Sequence, residues 1–295
     1  MPGPPLPEPP MPSESPSAEP PLLSVEGVSI RFGGLTALAD VSFSMPRGSI
    51  TAIIGPNGAG KTTLFNCITG FYRPTSGTIR LHGPAGSAAL ERLPIHRIAR
   101  LGVARTYQNI RLFGGMTVLE NLLVAQHAFV KRGLAAGLLR TPAYRRAEAD
   151  AERRAWDWLG FMGLESAANR PAGTLPYGQQ RRLEVARAMA ARPALVCLDE
   201  PAAGLNPQEA QELNGLIRRL RGEFGVSVLL IEHHMGVVMA ISDHVAVLDH
   251  GQLISQGTPA EVQRDPHVIR AYLGEEDRDP SADAAIAPAP QNPGA

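Results

Sequence analysis

From its first long apolar stretch the chain reads as short β runs, LLSVEGVSIRF and then ALADVSFSMPRGSITAIIG, the second ending on the apolar strand Ile50 to Ile54. A glycine-rich turn follows, and Thr63-Leu64-Phe65 opens a helix. From about Ile95 to Ala190 the period lengthens to that of helices, with many Arg and Glu. In RRAEADAERRAWDWLGFMGL, Trp156, Leu159 and Met162 at i, i+3 and i+6 are expected to share one face. The β character returns in ALVCLDE, VSVLLIEHH and HVAVLDHGQLISQG, with a helix expected over roughly Pro207 to Arg221. That βαβ rhythm predicts a mostly parallel sheet, with a helical subdomain over about 95–190. No internal repeat interrupts it.

The ends have another character. Residues 1–21 are dominated by Pro, Ser and Glu, too little apolar surface to offset the ordering of a backbone, and the residues from about 276 to 295 repeat that composition. Both are expected to be disordered tails around a folded part from Leu22 to Glu275.

Composition narrows the function classes. The chain has 295 residues and 44% apolar content, ordinary for a globular protein of one large domain or two small ones. Its 28 basic residues balance 28 acidic ones, so no overall field draws it to nucleic acid. The two cysteines, Cys67 and Cys197, sit inside apolar segments far apart, matching neither a metal site nor a secreted disulfide scaffold, and a reducing cytosol is the expected compartment. No apolar run approaches the ~18–20 residues of a membrane helix, and the N-terminus lacks the features of a signal peptide. Service to a membrane is expected from outside the bilayer.

The chemistry begins after the strand TAIIG. Gly55-Pro56-Asn57-Gly58-Ala59-Gly60-Lys61-Thr62 matches the G-x-x-x-x-G-K-[ST] phosphate loop, with strand, loop and helix in the required order. Glycines let backbone N–H groups close around a β-phosphate, and the helix N-terminus adds a favourable dipole. Lys61 is expected to reach the β- and γ-phosphates of ATP and Thr62 to hold Mg²⁺. The chain has two lysines, Lys61 and Lys131, among 28 basic residues, so a Lys here is itself informative.

A second element, Leu195-Val196-Cys197-Leu198-Asp199-Glu200, is an apolar strand ending in two carboxylates, where a parallel sheet presents catalytic groups. Asp199 fits a direct or indirect Mg²⁺ ligand. Glu200 is placed to polarise a water for in-line attack on the γ-phosphate.

Leu175-Pro176-Tyr177-Gly178-Gln179-Gln180-Arg181-Arg182 resembles the signature motif of ABC ATPases, commonly LSGGQ. That resemblance implies the cassette fold: a phosphate-loop α/β core with a mostly parallel sheet, an N-terminal antiparallel β subdomain and an inserted helical subdomain. It also implies roles. Gln108 in TYQNIRLF resembles the Q-loop glutamine that contacts Mg²⁺ or water and faces the membrane subunit; His233 in LLIEHH resembles the switch histidine at the γ-phosphate; Ala203-Gly204-Leu205-Asn206 resembles the D-loop; and Phe32 sits where an aromatic ring stacks on adenine. Thr63 falls within the same nucleotide-binding stretch. In the family, Tyr177, Gly178 and Gln179 would serve the ATP of an opposite subunit, so two cassettes sandwich two nucleotides.

The segments LENLLVAQH, GLLRTPAYRR, LPYGQQRRLEVARAMA, LDEPAAGLNPQE and VIRAYLGEE resemble one subgroup, the ATP-binding subunits of branched-chain amino acid importers. The implied assembly pairs the chain with itself or a second ATPase, on two multi-span permease subunits fed by a solute-binding protein, at the cytoplasmic face of the membrane and without nucleic acid. A soluble ABC ATPase of DNA repair or ribosomes is the alternative, but such proteins usually carry a long coiled coil, zinc cysteines or a duplicated cassette. Three residues depart from the common pattern: Pro176 where Ser is usual, His234 where many relatives have Asp, and Asn206 in place of the D-loop Asp.

Overall fold

The computed structural model describes residues 20–83, 86–127 and 141–276. The predicted tails fall outside these residues except at 20, 21 and 276, as does the Gly137–Arg140 part of GLLRTPAYRR.

Two sheets make the frame. A four-stranded antiparallel sheet has the order β2 (Leu35–Met45), β1 (Leu23–Phe32), β4 (Ser76–Gly83), β5 (Gly86–Ala89). A six-stranded sheet has the order β10 (Gln252–Gly257), β9 (His244–Asp249), β3 (Ile50–Ile54), β8 (Ser227–Ile231), β7 (Leu195–Asp199), β6 (Val103–Arg105). Its pairings are all parallel except that of β10 with β9. Every residue of β3, β7 and β8 is buried, as expected of a parallel sheet covered on both faces.

The two-residue period of a strand divides those side chains between two cores. Ile50, Ala52, Ile54, Val196, Leu198, Val228 and Leu230 point to a layer of helices, in one cluster with Leu183 and Ala186 of α5 (Tyr177–Ala190) and Leu213 and Ile217 of α6 (Pro207–Phe224). Ile53, Leu195, Cys197, Leu229 and Ile231 point the other way, onto α1 (Lys61–Ile68) and the inner face of the antiparallel sheet. The phosphate loop therefore sits where the two layers meet.

The stretch expected to be helical holds α2 (Ile95–Arg100), α3 (Val118–His127), α4 (Pro142–Met162) and α5, but also β6, a strand of the core sheet. The start of α4 has a Thr141 cap whose hydroxyl accepts from Tyr144 N at 3.2 Å and a proline in its first turn; its end has Gly163 in the left-handed region at φ 66°. Its buried face is Ala151, Ala155, Leu159 and Met162, while Trp156 is 39% exposed. The shared face expected for Trp156 is thus corrected. At 100° per residue, Trp156 lies about 60° from Leu159 on the side away from Met162, whereas the four buried residues fall within one narrow arc.

Beyond the core, α7 (Met235–Ile241), α8 (Pro259–Arg264) and α9 (Pro266–Glu276) complete the described chain. Among the described residues no helix is long and apolar enough to cross a membrane.

Candidate nucleotide-binding and hydrolytic site

The loop after β3 owes its shape to two glycines, Gly55 and Gly60, that no other residue replaces without displacement. Gly55 has φ 146°, and a Cβ there would lie 2.0 Å from the carbonyl oxygen of Leu248. Gly60, at φ 98°, would meet Ala37 O and Leu38 Cδ2 at 2.8 Å each. Helix α1 begins at Gly60 without a side-chain cap and with no acidic residue in its first turn. Its N-terminus thus carries neither a side-chain cap nor a competing carboxylate, the arrangement a phosphate requires. Lys61, 8% exposed, donates to the carbonyls of Gly55 at 2.6 Å and Pro56 at 2.7 Å, which fixes its ammonium against the loop.

These residues open onto a cleft of about 580 Å³ lined by Asn57, Gly58, Ala59, Gly60, Lys61, Thr62, Thr63, Gln108 and Glu200, with Phe32 at its edge. The Phe32 ring is 44% exposed and braced edge-on by Tyr72 at 5.1 Å. His250 and Gly251 also line the cleft, and sequence reasoning missed both; a His-Gly turn after β9 was the available signal.

Glu200 follows β7 with φ 45°, a left-handed conformation rare outside glycine that holds about 1–2 kcal/mol of strain. It turns the carboxylate out of the strand, and Gln108 Nε2 donates to its Oε2 at 3.0 Å while His233 Nδ1 stands 3.6 Å from its Oε1. The glutamine, glutamate and histidine singled out in the sequence thus converge from three separate segments, Gln108 and Glu200 lining the phosphate-loop cleft and His233 standing against Glu200.

Asp199, one residue earlier, is 5% exposed and bound by Arg105, whose Nη2 donates to Oδ2 at 2.9 Å. The same guanidinium donates to Asn66 Oδ1 at 2.6 Å and Thr69 Oγ1 at 3.0 Å, and it is ringed by Phe65, Phe71 and Tyr107 at 5.3–5.4 Å. Thr62, Gln108 and Asp199 supply hydroxyl, amide and carboxylate oxygens, the hard donors Mg²⁺ takes, so the residues present fit that ion.

Tyr177, Gly178 and Gln179 stand apart from this cleft, at the start of α5. Pro176 is the residue before that helix and offers no side-chain cap. A Cβ on Gly178 would lie 2.6 Å from Glu209 Oε1, so the glycine keeps this helix close to α6. Glu209 is in turn half of a capping box: Asn206 Oδ1 accepts from Glu209 N at 2.9 Å and Glu209 Oε2 accepts from Asn206 N at 3.1 Å.

One turn further along α5, Arg181 and Glu184 are 0% and 1% exposed and joined at 2.9 Å. Arg181 also donates to the carbonyls of Tyr107 at 2.8 Å and Gln108 at 2.9 Å, and Glu184 Oε1 accepts from Tyr107 N and Arg111 N at 3.3 Å. The signature helix therefore grips the backbone that carries Gln108.

Comparison with known proteins agrees with this geometry. A family model described as ABC transporter matches residues 38–203, and one described as branched-chain amino acid ATP-binding cassette transporter matches residues 252–278. The chain is 54% identical over 255 residues to the high-affinity branched-chain amino acid transport ATP-binding protein BraF of Pseudomonas aeruginosa, covering 86% of this chain and 98% of BraF. It is 55% identical, with the same coverage, to the corresponding LivG of Salmonella typhimurium. The chain belongs to the ABC transporter family. Within that family it is an ATP-binding, ATP-hydrolysing cassette. The fold agrees: an ABC cassette crystallised in its ADP conformation is similar with TM-score 0.73 at 32% identity, covering 86% of this chain and 99% of its own. A nucleotide-free cassette gives 0.72 at 32%, covering 85% and 98%.

Proposed function

We propose that this cassette energises a branched-chain amino acid importer from the cytoplasmic face of the membrane, paired with itself or a homologous ATPase on two multi-span permease subunits that a solute-binding protein supplies. The observation that carries the hydrolytic part is the meeting of Gln108, Glu200 and His233 beside the phosphate loop. The substrate class rests on the relatives' function and on the match over residues 252–278.

In this reading Phe32 stacks on adenine, the N–H groups of Gly58 to Thr63 and the Lys61 ammonium bind the phosphates, and Gln108 and Glu200 hold the attacking water, Glu200 taking its proton. His233 steadies the γ-phosphate. Thr62, Asp199 and Gln108 would hold Mg²⁺, which when bound neutralises phosphate charge. Tyr177, Gly178 and Gln179 are not among the residues that line their own chain's cleft, which supports their use on a partner cassette's ATP. A groove of about 370 Å³ lined by Phe71, Ile95, Ile98, Val103, Arg105 and Tyr107 lies beside the Gln108 segment and supports docking of a permease there.

Glu200→Gln tests the chemistry. It keeps the amide bond geometry to Gln108 but removes the base, so the variant is expected to bind ATP and accumulate a closed dimer on a sizing column while turnover falls by about 10²–10⁴-fold. Full ATPase activity in that variant excludes Glu200 as the base. Affinity purification from the native membrane should recover two multi-span subunits; ribosomes or DNA-repair proteins in their place would refute the importer.

A further inference from the structure

Directly after β8 stand Glu232, His233 and His234, each offering one ligand atom, all within 4.8 Å of one another. Glu232 is fully buried: Oε1 accepts from Ala202 N at 3.0 Å and the backbone N–H of His234 also bears on the carboxylate, while Oε2 has no partner at hydrogen-bond length among the described residues. That second oxygen faces His234 Nδ1 at 3.6 Å, beyond hydrogen-bond length. The two imidazoles are exposed, with ring centroids 4.2 Å apart, so the open side of the cluster meets solvent. A buried carboxylate oxygen left unbonded is costly unless something binds it.

We propose that Glu232, His233 and His234 form a second metal site, separate from the Mg²⁺ donors, that takes Zn²⁺ and restrains hydrolysis by holding His233. Zn–N and Zn–O bonds of about 2.1 Å put neighbouring ligand atoms of a tetrahedron about 3.4 Å apart, near the 3.6 Å between His234 Nδ1 and Glu232 Oε2. Imidazole nitrogen selects Zn²⁺ over Mg²⁺, which prefers an all-oxygen set. Three protein ligands and a solvent-facing fourth position make an open site rather than a closed structural one. The inhibitory half of the proposal rests on His233 acting at the γ-phosphate; the binding half does not. His234 supplies the second imidazole nitrogen of the cluster.

The test uses tag-free protein at about pH 8, since metal binding releases ligand protons and strengthens as pH rises. Co²⁺ is titrated as the spectroscopic probe and Zn²⁺ by calorimetry, on the unaltered chain, His234→Ala and Glu232→Gln, with ATPase followed in parallel. The unaltered chain is expected to bind one equivalent and to give the visible absorption of a low-coordinate Co²⁺ site. Loss of an outer partner of a metal ligand already costs about 10–100-fold in affinity, so His234→Ala should weaken binding by at least that while keeping basal ATPase and its fold. Zn²⁺ should slow the unaltered chain, EDTA added only in proportion to the Zn²⁺ under excess Mg²⁺ should restore it, and His234→Ala should resist. Equal binding by the unaltered chain and His234→Ala, or the absence of saturable binding, overturns the site. Saturable binding that leaves ATPase untouched overturns instead the role given to His233, and with it the inhibition.

Discussion

Replacing Arg181 with methionine is expected to destabilise the cassette by about 3–5 kcal/mol, the cost of leaving one member of a buried ion pair alone. The guanidinium is wholly enclosed and makes contacts of 2.8–3.2 Å to Glu184, Tyr107, Gln108 and the Tyr177 hydroxyl. Methionine fills much of its volume but satisfies none of them, and the Glu184 carboxylate keeps only two N–H donors at 3.3 Å. Burial already pushes the Glu184 carboxyl above the ordinary range, against the pull of Arg181 and of those backbone donors. Removing Arg181 removes the strongest opposing pull, so the folded-state carboxyl is raised further above its unfolded range. A folded-state pKa above the unfolded one means stability falls as pH rises through that interval, so the loss should be larger at about pH 8 than at about pH 5.5. Urea unfolding followed by tryptophan fluorescence at both pH values measures it. The double variant Arg181→Met/Glu184→Leu removes both members of the pair and should recover part of the loss; what remains is about 1–3 kcal/mol for the freed backbone groups together with the attraction that the part-buried Arg187 loses with Glu184. A cost below about 1 kcal/mol, typical of exposed pairs, or a double variant no more stable than the single, would refute the reasoning.

Gly55→Ala drives a Cβ into the Leu248 carbonyl, whereas Gly58→Ala meets nothing within 4 Å, so titration with a fluorescent ATP analogue should show a far larger loss of affinity in the first; equal losses would mean the loop relaxes freely. Cys67 and Cys197 are buried with thiol pKa values pushed up to about 12, so at pH values below that the thiolate is scarce and Ellman's reagent should label neither until urea is added; labelling of the native protein would contradict their burial. Asn206→Ala should lower the urea midpoint by the equivalent of about 1 kcal/mol, and no shift would mean the cap is replaced by water.

The candidate site positions could be picked out because each hangs on a local pattern. The run Gly55–Thr62 carries its own backbone requirement, and an apolar strand ending in Asp199-Glu200 announces the carboxyl edge of a parallel sheet. What holds those residues could not. Arg105 lies 94 positions from the aspartate it binds, and Arg181 grips a segment 73 and 74 positions away, separations at which no periodicity gives a signal. Strand β6 was hidden for a related reason: three residues between two helical stretches are too few to establish a period of two. Trp156 misled because spacings of three and six drift around a helix, while the small residues Ala151 and Ala155 mark the face that packs.

The capping box at the start of α6 also bears on how this sequence is free to drift. Glu209 holds Asn206 with one carboxylate oxygen and presents the other where a side chain on Gly178 would stand. Two motifs some thirty residues apart therefore share one carboxylate. A substitution at Asn206 that gives up the cap releases Glu209 from its rotamer, and a Gly178 substitution has nowhere to go while that rotamer persists. Changes at these three positions are expected to be inherited together, so a library that varies them jointly should recover functional combinations that stepwise mutagenesis misses.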